Sequence, residues 1–229
     1  METTELDRIV FVPVIHADAD SVKRARSVVI DIKPDVVAVE LDRQRYEQLQ
    51  DSEAMSKMAD PPTSTNMVEH LMFQIAQLER DLGQKTGAIA GEEMLAAIEE
   101  GRKIGAKIAL VDRPIQVTMK AIMRVPLDEI YRLTNMIPSA SQDIEEGGSI
   151  DLLQKLKEEG TVDELVDVFR TEFPGLYDAL ISQRDLYVAN ALRSILDDVD
   201  GKIVAVLGVG HIEGVSRELT NLLRERAGS

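Results

Sequence analysis

The sequence predicts an α/β fold: a mainly parallel sheet with helices on both faces and a large all-helical insertion before the last strand. Three observations carry this prediction. Short runs rich in Val and Ile are apolar on both faces, amphipathic helical stretches separate them, and Pro or Gly marks most of the boundaries. With 229 residues and 44% hydrophobic content, the chain can bury a sizeable core, and we expect a single domain over residues 1–229.

Four segments are predicted as buried strands. Each is short and continuously apolar, as strands are when helices cover both faces of a parallel sheet. They cover residues 9–15, 35–41, 107–111 and 202–207.

Apolar residues at helical spacing predict helices between and after these strands. Pro34 closes the first helix before the second strand begins. The predicted helices cover residues 20–32, 40–58, 67–82, 92–104 and 212–225. The run Asp60-Pro-Pro-Thr-Ser-Thr after the second helix is the clearest break in the chain.

Between the third and fourth strands the alternation of strands and helices stops. Residues 115–199 show helical spacing throughout, interrupted by Pro and Gly, and Thr161 with Glu164 predicts a capping box for one of these helices. We interpret this stretch as a helical insertion within the domain that forms either a lid or a dimer interface. A homodimer through the insertion is the expected assembly.

The formal net charge of −15 argues against a nucleic-acid partner, because such a field repels phosphate backbones. Aromatic residues make up 3% of the chain and Trp is absent, so the platforms that stack bases are missing as well. Most of the acidic residues are expected to form a solvated surface.

The chain has no Cys, which excludes disulfides, thiolate metal sites and a cysteine nucleophile. Any metal site must therefore use His, Asp or Glu. The N-terminal residues are acidic rather than basic, and no apolar run reaches the roughly 18 residues of a membrane span. For the chain as given, we expect a cytoplasmic location.

Ionisable residues follow all four predicted strands, at the edge where open parallel sheets bind ligands. Taken singly, each has an ordinary structural explanation, such as a helix cap, an ion pair or a helix start. Taken together at one sheet edge, they predict a functional site. They are His16 after the first strand, Glu40 with Asp42 and Arg43 at the second, Asp112 and Arg113 after the third, and His211 after the fourth.

The strongest local signal is the segment Leu207-Gly-Val-Gly-His-Ile-Glu-Gly214. Gly208 and Gly210 allow a sharp turn and a close backbone approach, and His211 falls near a helix N-terminus, where the neutral imidazole is favoured. Gly214 completes a spacing similar to a dinucleotide fingerprint, but the further strand and acidic residue that such a site requires do not follow.

Two other groups of polar residues can be explained by a structural role rather than by a functional site. His70, inside the third predicted helix, is expected to be structural. Arg184 and Asp185 form either a surface ion pair or an anion clamp over the sheet edge.

An ordered series of motifs resembles the TraB/PrgY family. This family includes pheromone-shutdown proteins and is related to the Tiki proteases and, more distantly, to GumN, ChaN and erythromycin-esterase-like proteins. The motifs are Val14-Ile-His16, Glu40-Leu-Asp42-Arg43, Gly91-Glu-Glu93-Met94, Asp112-Arg113-Pro114, Arg184-Asp185 and Gly208-Val-Gly-His211-Ile-Glu-Gly214.

The resemblance implies a ChaN/erythromycin-esterase-like fold in which two G-x-x-H motifs and acidic residues form one metal-dependent, peptidase-like site. By position, His16 and His211 match the two motif histidines. Pro13 stands where the family has Gly in the first motif. The acidic positions match Glu40 and Glu93, and the Arg positions match Arg113 and Arg184. Archaeal members look longer than this chain, with apolar segments after the domain, so membrane attachment of a longer parent protein stays open.

From the residues and the resemblance together we predict a metal-dependent hydrolase of peptides. A divalent ion of the Mn/Co/Zn class would be bound by His16, His211, Glu40 and Glu93. Arg113 or Arg184 would hold an oxyanion or a peptide carboxylate. Asp42, Arg43, Asp112, Asp185, Gly208, Gly210 and Gly214 are expected to support the site.

Three alternatives remain open at this stage. A histidine oriented by a carboxylate can activate water without a metal, as the esterase-like relatives suggest. A protein without catalytic activity can instead bind and sequester a peptide or another small ligand. A scaffold that assembles through its helical insertion is the third.

Overall fold

The computed structural model describes residues 5–51, 66–143 and 148–227, and within them the predicted α/β fold is confirmed. Four strands form an all-parallel sheet in the order β1-β4-β2-β3. Their ends differ from the predicted ones by at most two residues. The strands are β1 (Ile9–Val14), β2 (Val36–Val39), β3 (Lys107–Leu110) and β4 (Ile203–Gly208).

Four helices of the described chain lie between β1 and β3. They are α1 (Ala19–Ile32), α2 (Arg43–Gln50), α3 (Met67–Thr86) and α4 (Glu92–Lys103). The described residues between β3 and β4 contain helices and no strand, as predicted for the insertion. These helices are α5 (Ile115–Ile122), α6 (Leu127–Asp143), α7 (Ser149–Leu156), α8 (Thr161–Glu172), α9 (Pro174–Tyr177), a π-helical segment (Asp178–Ser182) and α10 (Gln183–Asp198). The final helix, α11 (Ile212–Ala227), follows β4.

Both faces of the sheet are covered by helices. Successive residues of a strand point to opposite faces, so Val37 and Val39 pack with α1 and α4, whereas Val36 and Ala38 pack with α10 and α11. All four residues of β2 are buried. Because the strands are buried on both sides, they show continuous apolar runs rather than alternation.

A third apolar core lies among helices. Leu71 of α3 packs there with Ile122 of α5, Ile130 of α6 and Leu176 of α9. Helix α3 is therefore joined to the helices of the insertion, although it lies between β2 and β3 in the chain. Amphipathic spacing identifies α3 as a helix but does not indicate which neighbour its apolar face will contact.

Two local expectations need correction. The second helix begins at Arg43 rather than at residue 40, because the Asp42 side chain accepts the Arg45 backbone N–H at 3.0 Å and caps the helix there. Residues 52–58 of that predicted helix lie outside the described residues. The capping box at Thr161 is wrong, since Gly160, at φ +84°, occupies the N-cap position without a side-chain cap.

His70 lies on the exposed side of α3 and is not part of the core. None of the helices in the described part of the chain is long and apolar enough to cross a membrane.

Candidate functional site

The loop after β1 fixes the position of His16 and has a strained backbone at the next residue. Ala17, which follows it, is completely buried and has φ +60°, a left-handed conformation that is unfavourable for a residue with a Cβ. The Ser21 hydroxyl accepts the Ile15 N–H at 2.9 Å, and the Thr86 hydroxyl donates to the Ala17 carbonyl. These contacts from two helices fix the backbone on both sides of His16.

His16 is oriented by a buried carboxylate. Its Nδ1 lies 2.6 Å from Glu93 Oε1, and Glu93, in the first turn of α4, is completely buried. The other oxygen of Glu93 accepts the Gly91 N–H at 3.2 Å. An ionised carboxylate can only accept, so a neutral His16 carries its proton on Nδ1 and presents the Nε2 lone pair. Burial alone would lower the pKa of His16, but the hydrogen bond and the charge of Glu93 raise it above its usual value.

Glu40, directly after β2, is a buried carboxylate with both oxygens engaged. Its Oε2 accepts the Gly208 N–H at 2.6 Å, and its Oε1 lies 2.6 Å from Arg184 Nη2. Burial opposes ionisation, yet the positive groups of His211, Arg184 and His16 together with the Gly208 N–H lower the pKa of Glu40 to about 2. Glu40 is therefore a permanent negative charge at neutral pH.

His211 has a carboxylate partner of its own. Its Nδ1 lies 2.6 Å from Asp185 Oδ1, and its Nε2 lies 3.5 Å from Glu40 Oε1. Asp185 is 1% exposed, and burial raises its pKa. The two histidines thus repeat one arrangement, in which a buried carboxylate holds Nδ1 and the Nε2 side of the ring is left for the site.

The side chains from β1, β2 and β4 meet above Gly208. A Cβ at Gly208 would lie 3.3 Å from Glu40 Oε2, 3.4 Å from His16 Nε2 and 3.5 Å from His211 Cδ2. A side chain at this position would compete for that space, so Gly208 keeps the floor of the site open. The convergence expected for His16, Glu40 and His211 is present.

Arg184 connects Glu40 to the end of β3. Its guanidinium contacts both oxygens of Asp112, at 3.2 and 2.8 Å, and Nη1 lies 3.4 Å from His211 Nε2. Arg184 is therefore neither a surface ion pair nor a free anion clamp, the two options that its sequence left open. It follows the π-helical segment Asp178–Ser182, a rare conformation that is enriched at functional sites.

Arg113 does not face the centre of the site. Its Nε donates to Thr118 at 2.9 Å, and its other nitrogens contact the Gln183 side chain and the Ala179 carbonyl. Burial and the nearby Arg184 lower its pKa. Arg113 joins the end of β3 to the insertion helices and does not contact the histidine cluster.

Three other expected supporting residues have roles outside the cluster. Asp42 caps α2, and Arg43 is exposed and paired with Glu47 at 2.9 Å. Gly210 lies under α8, where a Cβ would be in ordinary contact with two valines.

Pro13 lies in β1 at the edge of the sheet. It pairs with Leu207 in the parallel register, and its carbonyl accepts from Arg24 Nη1 at 3.1 Å. A proline at an edge strand leaves the inner hydrogen bonds intact when its nitrogen faces outward. With Pro13 at this position, His16 still reaches the space above Gly208.

The resemblance implies a metal ion, but the donor atoms are not arranged for one. Glu93 is directed at His16 Nδ1, and both oxygens of Glu40 are already engaged, one of them by the positive Arg184. Among the residues described, no group of three or more His, Asp and Glu is placed to hold a metal ion. The predicted ligand set of His16, His211, Glu40 and Glu93 is not formed in this structure.

Some residues of the site were missed from the sequence. Ser21 and Thr86 fix the His16 loop, yet neither was a candidate. Asp18 and Ser21 have the spacing of an N-cap and its partner, and the Ser21 N–H does donate to Asp18 at 3.0 Å, so this signal was available. Thr86 lies at the end of α3, far from His16 in the chain, and had no local signal.

Comparisons with known proteins agree with the motif resemblance. A sequence profile of the TraB/PrgY/gumN family matches residues 5–227. An uncharacterized protein of Methanocaldococcus jannaschii is 28% identical over 211 residues, which are 90% of this chain and 52% of that protein. TraB domain-containing proteins of Homo sapiens and Bos taurus are each 25% identical over 92% and 93% of this chain, and over 62% and 63% of their own lengths. The chain thus spans between about half and two thirds of these relatives.

Proposed function

Because the chain belongs to the TraB/PrgY/gumN family, we propose that it is a hydrolase that cleaves peptide bonds with a histidine-activated water. One observation carries the chemistry: buried Glu93 holds His16 Nδ1 at 2.6 Å, while His16 Nε2 faces the space above Gly208 beside Glu40. A base oriented in this way is the common core of general-base hydrolysis. Peptides are the substrate class suggested by the resemblance to the Tiki proteases.

In the proposed reaction, His16 Nε2 removes a proton from water as the water oxygen attacks the peptide carbonyl carbon. The negative charge that develops on the carbonyl oxygen is stabilised by Arg184 Nη1, which lies 3.4 Å from His211 Nε2, whereas Nε and Nη2 of the same guanidinium are held by Asp112 and Glu40. Collapse of the tetrahedral intermediate breaks the C–N bond. The His16 imidazolium returns its proton to the leaving amine, so that acid and amine products form and His16 is neutral again.

The fixed negative charge of Glu40 favours the imidazolium that forms during the reaction. Glu40 is itself a poor base, because a carboxylate with a pKa of about 2 binds a proton too weakly at neutral pH. This separation of roles supports His16, rather than Glu40, as the group that accepts the proton from water.

The test is cleavage of a peptide library at pH 8, followed by mass spectrometry, with and without EDTA. We expect wild-type cleavage to survive EDTA and to fall by about 10²- to 10⁴-fold in His16→Gln. His70→Gln is the matched control, since this third histidine is exposed on α3.

Two other outcomes would each replace the proposal. Cleavage that stops in EDTA and returns with Mn²⁺ or Zn²⁺, together with a metal content that falls in His16→Gln and His211→Gln, would establish the metal-dependent hydrolase. Retention of intact peptides without cleavage would identify a protein that sequesters its ligand.

A further inference from the structure

The two histidine loops are bridged by one pair of insertion helices. We call α7, α8 and the turn between them, residues 149–172, the α7–α8 arm. At the end of α7, Lys157 Nζ lies 2.9 Å from Asp18 Oδ1 and 2.8 Å from Asp20 Oδ2. Asp18 is two residues after His16, so this contact fastens the arm to the first histidine loop.

The other half of the arm rests on the second histidine loop. A Cβ at Gly210 would lie 3.7 Å from Val166 Cγ2 and 4.0 Å from Val162 Cγ1. Gly210 directly precedes His211. The arm therefore spans the carboxyl edge of the sheet from one histidine loop to the other.

The arm is only lightly packed. Leu153 is buried, but α8 has no buried residue, and Leu165 and Val168 are 49% and 58% exposed. Elements with few buried contacts open at low free-energy cost compared with the global unfolding of a domain. Lys157 therefore helps to hold the arm in place, together with Phe169, which packs against the third core, and Arg132, which donates to the Glu172 carbonyl at 2.7 Å.

The site beneath the arm is nearly closed. The side chain of His211 is 12% exposed and that of Glu40 is 2% exposed, whereas His16 retains 31%. The groove beside the arm is lined by Pro13, Asp163, Val209 and Ile212 and not by His16, Glu40 or His211. A ligand must therefore enter beside His16 or displace the element above it.

We propose that the α7–α8 arm is the size filter of this site and that Lys157 is its specificity-determining residue. With Lys157 bound to Asp18 and Asp20, short peptides and small ligands reach the histidines from the His16 side. A long or folded chain reaches them only when the arm lifts. The size preference rests on the proposed function, whereas the closure of the arm over the histidines does not.

Closure is tested without any reaction by modifying the histidines with diethyl pyrocarbonate and following His16, His70 and His211 by mass spectrometry. In Lys157→Ala, we expect the modification rate of His211, measured relative to that of exposed His70, to rise roughly three- to ten-fold. An increase of this size corresponds to the loss of two partly exposed ion pairs. Amide hydrogen exchange over residues 149–172 should quicken in the same variant. Lys155→Ala, which removes an exposed lysine of the same helix, is the control and should leave both measurements unchanged.

A second variant holds the arm closed, whereas Lys157→Ala loosens it. Because the chain has no Cys, Asp20→Cys combined with Lys157→Cys can be joined by a short bifunctional maleimide without side reactions at other thiols. The joined protein should have a lower His211 modification rate than the same variant before joining. Equal His211 rates in wild type, Lys157→Ala and the joined protein would overturn the proposal.

The size preference is tested with peptides of increasing length. In Lys157→Ala, we expect kcat/KM for long peptides to rise relative to that for short ones, and an equal change for all lengths would overturn the size filter. If no peptide is cleaved while the modification rates respond as expected, the proposed hydrolysis fails and the size preference with it. The arm then stands as a cover over a site of different function.

Discussion

Gly214 in the first turn of α11 lies against Asp185 so closely that a Cβ at Gly214 would stand 1.9 Å from Asp185 Oδ2. No side chain can be added there while Asp185 keeps its hydrogen bond to His211. The last glycine of the segment 207–214 therefore serves the histidine indirectly, by making room for the carboxylate that holds it.

Gly214→Ala should lower the free energy of unfolding by about 2–3 kcal/mol, because Asp185 must move and lose its partner while it remains buried. Gly210→Ala, in the same segment, meets only ordinary contacts and should cost less than 1 kcal/mol. Urea denaturation of both variants measures the difference. Equal losses would contradict the role of Gly214 as the space for Asp185.

The pKa of His16 should depend on Glu93. In the wild type we expect the pKa of His16 to lie above 6.5. In Glu93→Gln we expect a lower pKa than in the wild type, because His16 remains buried while the charge of Glu93 is removed. A raised folded-state pKa stabilises the protein below pH 6.5, and this contribution disappears as the pH rises through the folded-state pKa. The stability gap between wild type and Glu93→Gln should therefore narrow from pH 6 to pH 9.

NMR titration of the three histidine rings, combined with urea denaturation across that range, measures both effects on His16. The His70 resonances should not respond to the Glu93 substitution. A His16 pKa that is the same in the two proteins would refute the assignment of Glu93 as its partner.

Glu40 should make the protein sensitive to acid. Its pKa of about 2 lies below its ordinary value, so it stabilises the folded state at neutral pH, and this stability is lost as the pH falls from about 4.5 through 2. Glu40→Gln should cost on the order of 3 kcal/mol at pH 7 and much less near pH 2.

Glu47→Gln is a suitable comparison for the acid experiment, since Glu47 is exposed and its pair with Arg43 lies in solvent. Its unfolding free energy should follow that of the wild type at every pH. If the unfolding free energies of Glu40→Gln and Glu47→Gln change with acid in the same way, Glu40 is not the stabilising buried charge that its contacts indicate.

The two buried arginines should separate stability from activity. Arg113→Lys loses the planar group that reaches Thr118, Gln183 and the Ala179 carbonyl, and should cost about 1–3 kcal/mol while activity per folded molecule stays within a few-fold. Arg184→Lys should reduce peptide cleavage by more than about tenfold. Thermal denaturation and peptide kinetics on both variants test this, and a larger activity loss in Arg113→Lys would reverse the roles.

The strands were predictable because strands that are buried on both faces have continuous apolar sequences. Their order was not. Nothing in the composition of residues 203–208 distinguishes a central strand from an edge strand, and pairing depends on crossovers between distant segments. Pro13 is the exception, since a proline within a strand favours an edge position, and β1 is at the edge.

The meeting of His16, Glu40 and His211 followed from the rule that parallel strands end at one edge. The rule gives position along a strand but not side-chain direction. Asp42 and Arg43 are only two and three residues beyond Glu40, yet the helix that starts there turns them away from the cluster. The partner of Arg184 was equally hidden, because Asp112 is a long-range neighbour that no local pattern reveals.

The last of the described strands is also an inner strand of the sheet. β4 lies between β1 and β2, and the hydrogen bond from Gly208 to Glu40 joins residues 168 positions apart. Loop-closure entropy makes contacts of such separation late and slow to form. A chain emerging from the ribosome must therefore hold β1 and β2 without the strand that lies between them until residues 203–208 have been made. Completion of the sheet and assembly of the histidine cluster then become one event.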